Sequence, residues 1–328
     1  MLDAAIIDQL KEVFSKLEKP VVLRVHQSPH PDQIELNDLL KGLTKASELI
    51  RVEPSDVLSE APRFELVTDG VPNGVSFRGV PGGHEFSSLV LSILYSDGKG
   101  KQPDAGIVAR IRGLKGPIRL KTYISLTCEN CPEVVQALNL MAILHDDFEH
   151  EMVDGGVAQD EVEALGIQGV PSVVSDGKLL HSGKIQLVDL LGKLEQAFGK
   201  EASQKKSESL GLFDVVVIGG GPAGSTAAIY SVRKGLKTAM VAERFGGQLQ
   251  ETKGIENMIS VPYTEGVKLA AQLNEHVTSY PVSLFEHRRV NTITGDKVKR
   301  IQLESGEYLD TAAVIIATGA KWRELGIP

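Results

Sequence analysis

The segment FDVVVIGGGPAGSTAAIYSVRKGLKTAMVAE, residues 213–243, constrains the fold more than any other stretch of the chain. Its apolar run Val215–Ile218 does not alternate with polar residues, which marks a strand buried on both faces of a parallel-type sheet. Gly219-x-Gly221-x-x-Gly224 follows, then a helical stretch, then a second apolar strand that ends at Glu243. In this register each glycine has a separate task. Gly219 makes the tight turn, Gly221 lets the backbone approach a pyrophosphate, and Gly224 lets the helix pack closely on the strand. The anion then sits on the free N–H groups of the first helical turn, which Pro222 opens without a donor of its own and Ala223 continues. Glu243, nineteen residues past Gly224, is placed to accept a hydrogen bond from a ribose hydroxyl. A glycine-rich turn without a ligand is the alternative, and the acid in register at the end of the second strand weighs against it. The stretch predicts a Rossmann-type nucleotide-binding domain over 212–328.

The only two cysteines of the 328 residues are Cys128 and Cys131, in ISLTCENCPEVVQALNLMAIL. They stand between a strand pattern and a helix pattern. A thiol there meets the free N–H groups and the positive end of the helix dipole, which favours thiolate. Cys128 is read as the attacking thiolate and Cys131, one turn into the helix, as the resolving thiol. Pro132 fits the first turn, where its missing N–H has no partner to lose. A zinc site needs four ligands, and the histidines His84, His145, His150 and His181 are not spaced to supply the rest. Two inert buried cysteines on one helical face are the remaining alternative.

Around this pair the elements fall into two similar runs. Residues 1–101 read helix, strand, helix, strand, hairpin, helix. Residues 102–197 read helix, strand, helix, strand, short helix, hairpin, helix, so one α/β pattern occurs twice with little residue identity. The first run has no cysteine where the second has its pair. Within it, GVPGGHEFSSLVLSIL places Glu85 at a helix start. That is either a surface acid complementing the helix dipole or a carboxylate reaching towards Cys128 to relay a proton. Residues 198–211, rich in Lys, Glu and Ser, read as a solvated linker.

A net charge of −8, a pI near 5.6 and few aromatic residues argue against a nucleic-acid surface. No apolar run reaches the roughly 18 residues of a membrane span, and the acid-bearing N-terminal helix is unlike a signal peptide. The expected setting is the cytoplasm, where a close cysteine pair means redox or metal chemistry rather than a staple.

The strand, Cys-x-x-Cys, helix and later Val170-Pro171 together resemble the thioredoxin/glutaredoxin family. That resemblance implies a cis-proline loop at Pro171, beside the pair, that engages the partner's backbone. The glycine loop, with ERFGGQLQETKGIENMISVP and VIIATGA, resembles the flavoprotein disulfide reductases of the low-molecular-weight thioredoxin reductase type. This resemblance implies FAD, contacted by Gly246, Gly247, Gln248 and Leu249, with Asn257 near the ring and Thr318 and Gly319 in a second fingerprint. Tandem thioredoxin-like folds followed by such a domain resemble the alkyl hydroperoxide reductase flavoprotein family over the whole chain. The family implies electrons passing from NADH to FAD, through dithiols to the N-terminal pair, and on to the peroxiredoxin of the alkyl hydroperoxide reductase system. It also implies a role for Glu85 near the pair and a homodimer through the flavin domain. No second dinucleotide loop, second Cys-x-x-Cys or closing flavin segment occurs in the sequence. The FAD domain is therefore expected to be incomplete, with the NADH site outside this chain. A thiol–disulfide carrier bearing a non-catalytic flavin-domain remnant is the alternative function.

Overall fold

The computed structural model describes residues 2–201 and 208–320. They divide into two compact units: residues up to 103 with 110–201, and 104–109 with those from 208 onward.

The first unit opens with α1 (Ala4–Phe14), capped by Asp3, whose carboxylate accepts the Ile6 N–H at 2.8 Å. Then come β1 (Val21–Gln27), α2 (Gln33–Thr44), β2 (Ile50–Leu58), the hairpin β3 (Arg63–Thr68) and β4 (Val71–Arg78), and α3 (Phe86–Ser96). Beyond α4 (Ala105–Arg112), whose residues are divided between the two units, the same order recurs. It runs through β5 (Ile118–Ile124), α5 (Cys131–Leu144), β6 (Phe148–Asp154) and α6 (Gln159–Ala164), then the hairpin β7 (Ser172–Ser175) and β8 (Lys178–Ser182), and finally α7 (Leu187–Phe198). In each half a parallel strand pair is extended by an antiparallel hairpin: β1 pairs with β2 and β3, and β5 with β6 and β7. The repeated sequence pattern does not reveal that the halves share one sheet, in the order β2-β1-β3-β4-β6-β5-β7-β8. The seam is a parallel pairing of β4 with β6, from Val75 opposite His150 to Arg78 opposite Val153.

α5 is the most enclosed helix of this unit. Cys131, Val134, Val135, Leu138, Asn139 and Met141 are all buried, so the helix is covered by the sheet on one side and α3 on the other. One polar chain crosses this core. The Thr122 hydroxyl lies 2.8 Å from His150 Nε2, His150 Nδ1 lies 2.5 Å from Asn139 Oδ1, and Asn139 Nδ2 donates to Ser92 Oγ at 2.9 Å. A neutral imidazole satisfies every bond, with Nδ1–H donating and Nε2 accepting.

The second unit is a six-stranded sheet of order β11-β10-β9-β14-β13-β12. Its elements are β9 (Ser209–Ile218), α8 (Pro222–Arg233), β10 (Thr238–Val241), α9 (Gly266–Thr278), β11 (Ser283–Phe285), β12 (Val290–Thr294), β13 (Lys299–Leu303) and β14 (Tyr308–Ile316). Central β9 is parallel to both β10 and β14. Its Val216 and Ile218 face one core cluster and Val215 and Val217 the other, as its unbroken apolar run requires. β9 begins at Ser209, inside the span read as linker, because β14 supplies ladder partners there, Tyr308 opposite Ser209 and Asp310 opposite Leu212. At the other end of that span, Lys200 bridges to Leu114. Residues 202–207 of the linker reading, and Lys321, Trp322 and Arg323 after the last strand, lie outside the described residues. Among the described residues no helix is long and apolar enough to cross a membrane.

Burial pushes His150 down from 6.5 to about 3, so it is neutral in the fold. A base held neutral contributes stability that is fully present above its unfolded value and is lost as pH falls towards the folded one. The urea midpoint followed by circular dichroism should therefore drop as pH falls below about 6.5, and His150→Gln should flatten that slope. Identical slopes in the two proteins would assign the acid sensitivity to other groups.

Candidate functional site

β5 ends at Ile124, and a six-residue loop delivers the chain to Cys131, the first residue of α5. The loop is turned by the Cys128 N–H donating to Ser125 O at 2.9 Å, with Pro132 in the first helical turn. Cys128 and Cys131 form a disulfide with Cα atoms 5.5 Å apart. Cys131 is fully buried and Cys128 half-exposed, so Cys128 offers the reachable sulfur. The Val170-Pro171 peptide is cis and sets the Val170 carbonyl oxygen 3.8 Å from Cys128 Sγ. Gly183 N–H donates to Pro171 O at 2.8 Å and fixes this loop onto β8.

Glu85 closes a 3₁₀ turn, Gly83–Glu85, just before α3. Gly83 has φ +53°, and a Cβ there would stand 2.7 Å from Leu126 O, so only glycine allows this approach. His84 N–H reaches the same oxygen at 3.4 Å, stitching the turn to the loop that leads into Cys128. Glu85 is fully buried and caps no backbone N–H, which overturns the surface dipole-complementing reading. Its Oε2 accepts the Ser88 hydroxyl at 2.6 Å, while Oε1 has no hydrogen-bond partner. Burial raises its carboxyl from 4.5 to about 7, against the opposing pull of Ser88. The stability this acid contributes is therefore present below about 4.5 and lost as pH rises through about 7, the reverse of His150.

In the second unit the strand order reverses at β9, and a cleft of about 390 Å³ opens at the carboxyl ends of β9, β10 and β14. Gly219, Gly221, Pro222, Ala223, Glu243, Gly247, Gln248, Thr318 and Gly319 line it. Gly224 lies beneath, where any Cβ would overlap the Gly219 carbonyl. Gly246 is buried in a left-handed turn and, like Leu249, is outside the lining; Asn257 is exposed and also outside it. Nothing stands within 4 Å of a Cβ built on Gly221, so backbone faces open space at the head of α8. That cradle, the helix start and the acid at the end of β10 fit a dinucleotide. Arg289, which pairs with Glu243 at 3.3 Å, also lines the cleft. Sequence reasoning misses it, although the HRRVN stretch after β11 carries the signal. Ser88 belongs to no motif.

Residues 118–196 match the thioredoxin domain family and 213–328 the pyridine nucleotide-disulphide oxidoreductase family. The F component of alkyl hydroperoxide reductase from Pseudomonas aeruginosa is 40% identical over 332 residues, covering 100% of this chain and 64% of that protein. A Bacillus subtilis protein named NADH dehydrogenase is 40% identical over 328 residues, with the same coverage of 100% and 64%. The chain thus spans just under two thirds of the length of these curated relatives. Among solved structures, the N-terminal domain of alkylhydroperoxide reductase AhpF from Enterococcus faecalis superposes with a TM-score of 0.55 at 26% identity. The match covers 59% of this chain and 100% of that one.

The two glycines of the loop should separate in their effects. Gly224→Ala should unfold the second unit locally, because its methyl group meets backbone, whereas Gly221→Ala should leave the fold intact. Limited proteolysis of the two variants checks this; equal resistance would contradict the packing described.

Proposed function

We propose that this chain, which belongs to the alkyl hydroperoxide reductase flavoprotein family, is the electron-transfer part of a flavoprotein disulfide reductase. Electrons would come from NADH through FAD and a dithiol to Cys128 and Cys131, and pass to the peroxiredoxin of the same peroxide-reducing system. The protein would act as a cytoplasmic homodimer. One observation carries the reading: a half-exposed Cys128 lies against the Val170 carbonyl of a cis-proline loop and over a buried Cys131.

In the reduced pair, Cys128 thiolate attacks one sulfur of the partner's disulfide. A mixed disulfide forms and the partner's other sulfur leaves as thiolate. Cys131 then loses its proton and attacks Cys128 Sγ, releasing the partner's second thiolate. Two electrons have moved to the partner and the Cys128–Cys131 disulfide is restored. The loop before Pro171 offers backbone to an extended partner segment. Glu85, buried beside the loop and poised near neutrality, accepts the Cys131 proton and returns it when the pair is next reduced. The backbone of Gly221, Pro222 and Ala223 would hold FAD, with Glu243 on its ribose, and the bound group would supply two-electron exchange between nicotinamide and dithiol.

Cys131→Ser should accumulate a mixed disulfide with an oxidised peroxiredoxin, and Cys128→Ser should form none. Non-reducing electrophoresis reads the adduct, and the opposite pattern would reverse the two roles. Gly221→Val should lose bound flavin, read by visible absorbance, while the N-terminal pair still exchanges. Undiminished flavin in that variant would remove the glycine loop from the FAD site.

A further inference from the structure

The helix that Cys131 opens is tied to the turn carrying Glu85 by side chains that no motif announces. Gln136 and Asn139, three positions apart on α5, share a face. Gln136 Nε2 lies 3.1 Å from Ser87 Oγ and 3.4 Å from Ser88 Oγ, and Asn139 Nδ2 donates to Ser92 Oγ. Each serine spends its single proton on its own segment: Ser87 on His84 O at 3.0 Å, Ser92 on Ser88 O at 2.7 Å, and Ser88 on Glu85 Oε2. These hydroxyls can only accept from α5, so the amide of Gln136 must present its nitrogen to them. A donor on the Ser88 lone pair leaves its O–H one direction, towards the carboxylate.

We propose that Gln136 is a positioning residue for the redox pair. From the helix that Cys131 begins, it holds the Ser88 hydroxyl on Glu85 and so sets how firmly that carboxyl keeps a proton in the turn stitched to the Cys128 loop. The proposal rests on reading Cys128 and Cys131 as an exchanging dithiol with Glu85 as its acid–base group. A hydrogen bond to the carboxylate favours the ionised form and opposes the effect of burial. The other titratable groups on the surrounding elements are His84 on the same turn, Cys128 and Glu129 in the loop, and Cys131 and Glu133 on α5. Glu133 is already paired with Lys184 at 3.2 Å. α3 carries no Asp, Glu, Lys, Arg or His; its one titratable side chain is Tyr95, in the last turn. The Ser88 bond is thus the one local contact that opposes the burial of Glu85.

The test measures, as a function of pH, the rate at which the reduced chain, after attacking the chromogenic disulfide dithiobis(nitrobenzoate), releases the second chromogenic thiolate, the step in which Cys131 closes the Cys128–Cys131 disulfide. Gln136 is half-exposed, so Gln136→Leu keeps the volume of the site without emptying the core. Losing one hydrogen bond's worth of orientation should move the Glu85-dependent midpoint alkaline by about half to one pH unit. The high-pH plateau should stay in place. Ser88→Ala should move the midpoint the same way and serves if Gln136→Leu fails to fold. In a Glu85→Gln background, Gln136→Leu should change nothing. A midpoint unmoved by both Gln136→Leu and Ser88→Ala overturns the proposal while leaving the function intact, and so does an equal effect with and without Glu85. A profile indifferent to Glu85→Gln fails the acid–base reading itself and takes the proposal with it. A chain that attacks no disulfide at any pH fails the redox function.

Discussion

The parallel pairing of β4 with β6 is the contact on which the rest of the first unit depends. It converts two α/β folds into one sheet, and in doing so brings a turn of the first half against a loop of the second. Glu85 follows β4, and the loop to Cys128 follows β5, the neighbour of β6. Neither half alone contains both the pair and the carboxyl. Charge reinforces the seam: Arg78 on β4 reaches Glu151 on β6 at 2.7 Å and also pairs with Glu161 on α6, while Arg63 on β3 reaches Glu151 at 2.8 Å. Arg78 and Glu151 are largely shielded from water, so these pairs fix register more than they add net stability.

The two halves differ at the loops that precede their hairpins. Pro62 precedes β3 as Pro171 precedes β7, and each carbonyl accepts a glycine N–H from after the following strand, Gly79 at 2.7 Å and Gly183 at 2.8 Å. Only the second of these prolines is cis. The first half keeps the stitch without the loop conformation or the thiols. Its contribution to the site is the Gly83–Glu85 turn, which the second half lacks.

The sequence made the repeated element order, the cysteine pair, the proline and the glycine loop legible because each is local: periodicity, spacing and turn chemistry act within a few residues. It did not disclose the shared sheet, because a seam strand such as VPNGVSFR reads like an edge strand until its neighbour is known. It left Glu85 ambiguous for a related reason. A glutamate at a helix start is written identically whether solvent or another fold covers it, and burial decides between the two. Gln136 and Ser88 are ordinary helical polar residues whose meaning exists only across the α3–α5 contact. The start of β9 was hidden because Ser209 and Gly211 interrupt its apolar residues and its ladder partners lie about a hundred residues away in β14.

The difference in exposure between the two sulfurs has a consequence for damage as well as for turnover. A half-exposed thiolate beside peroxide can be oxidised to sulfenic acid, and unopposed oxidation continues irreversibly to sulfinic acid. Cys131, buried within bonding reach, can condense with that sulfenic acid, expelling water and restoring the disulfide. Because the buried sulfur is reached through Cys128 rather than from solvent, the oxidant meets the two thiols in a fixed sequence. The same geometry thus returns a stray oxidation of Cys128 to the disulfide.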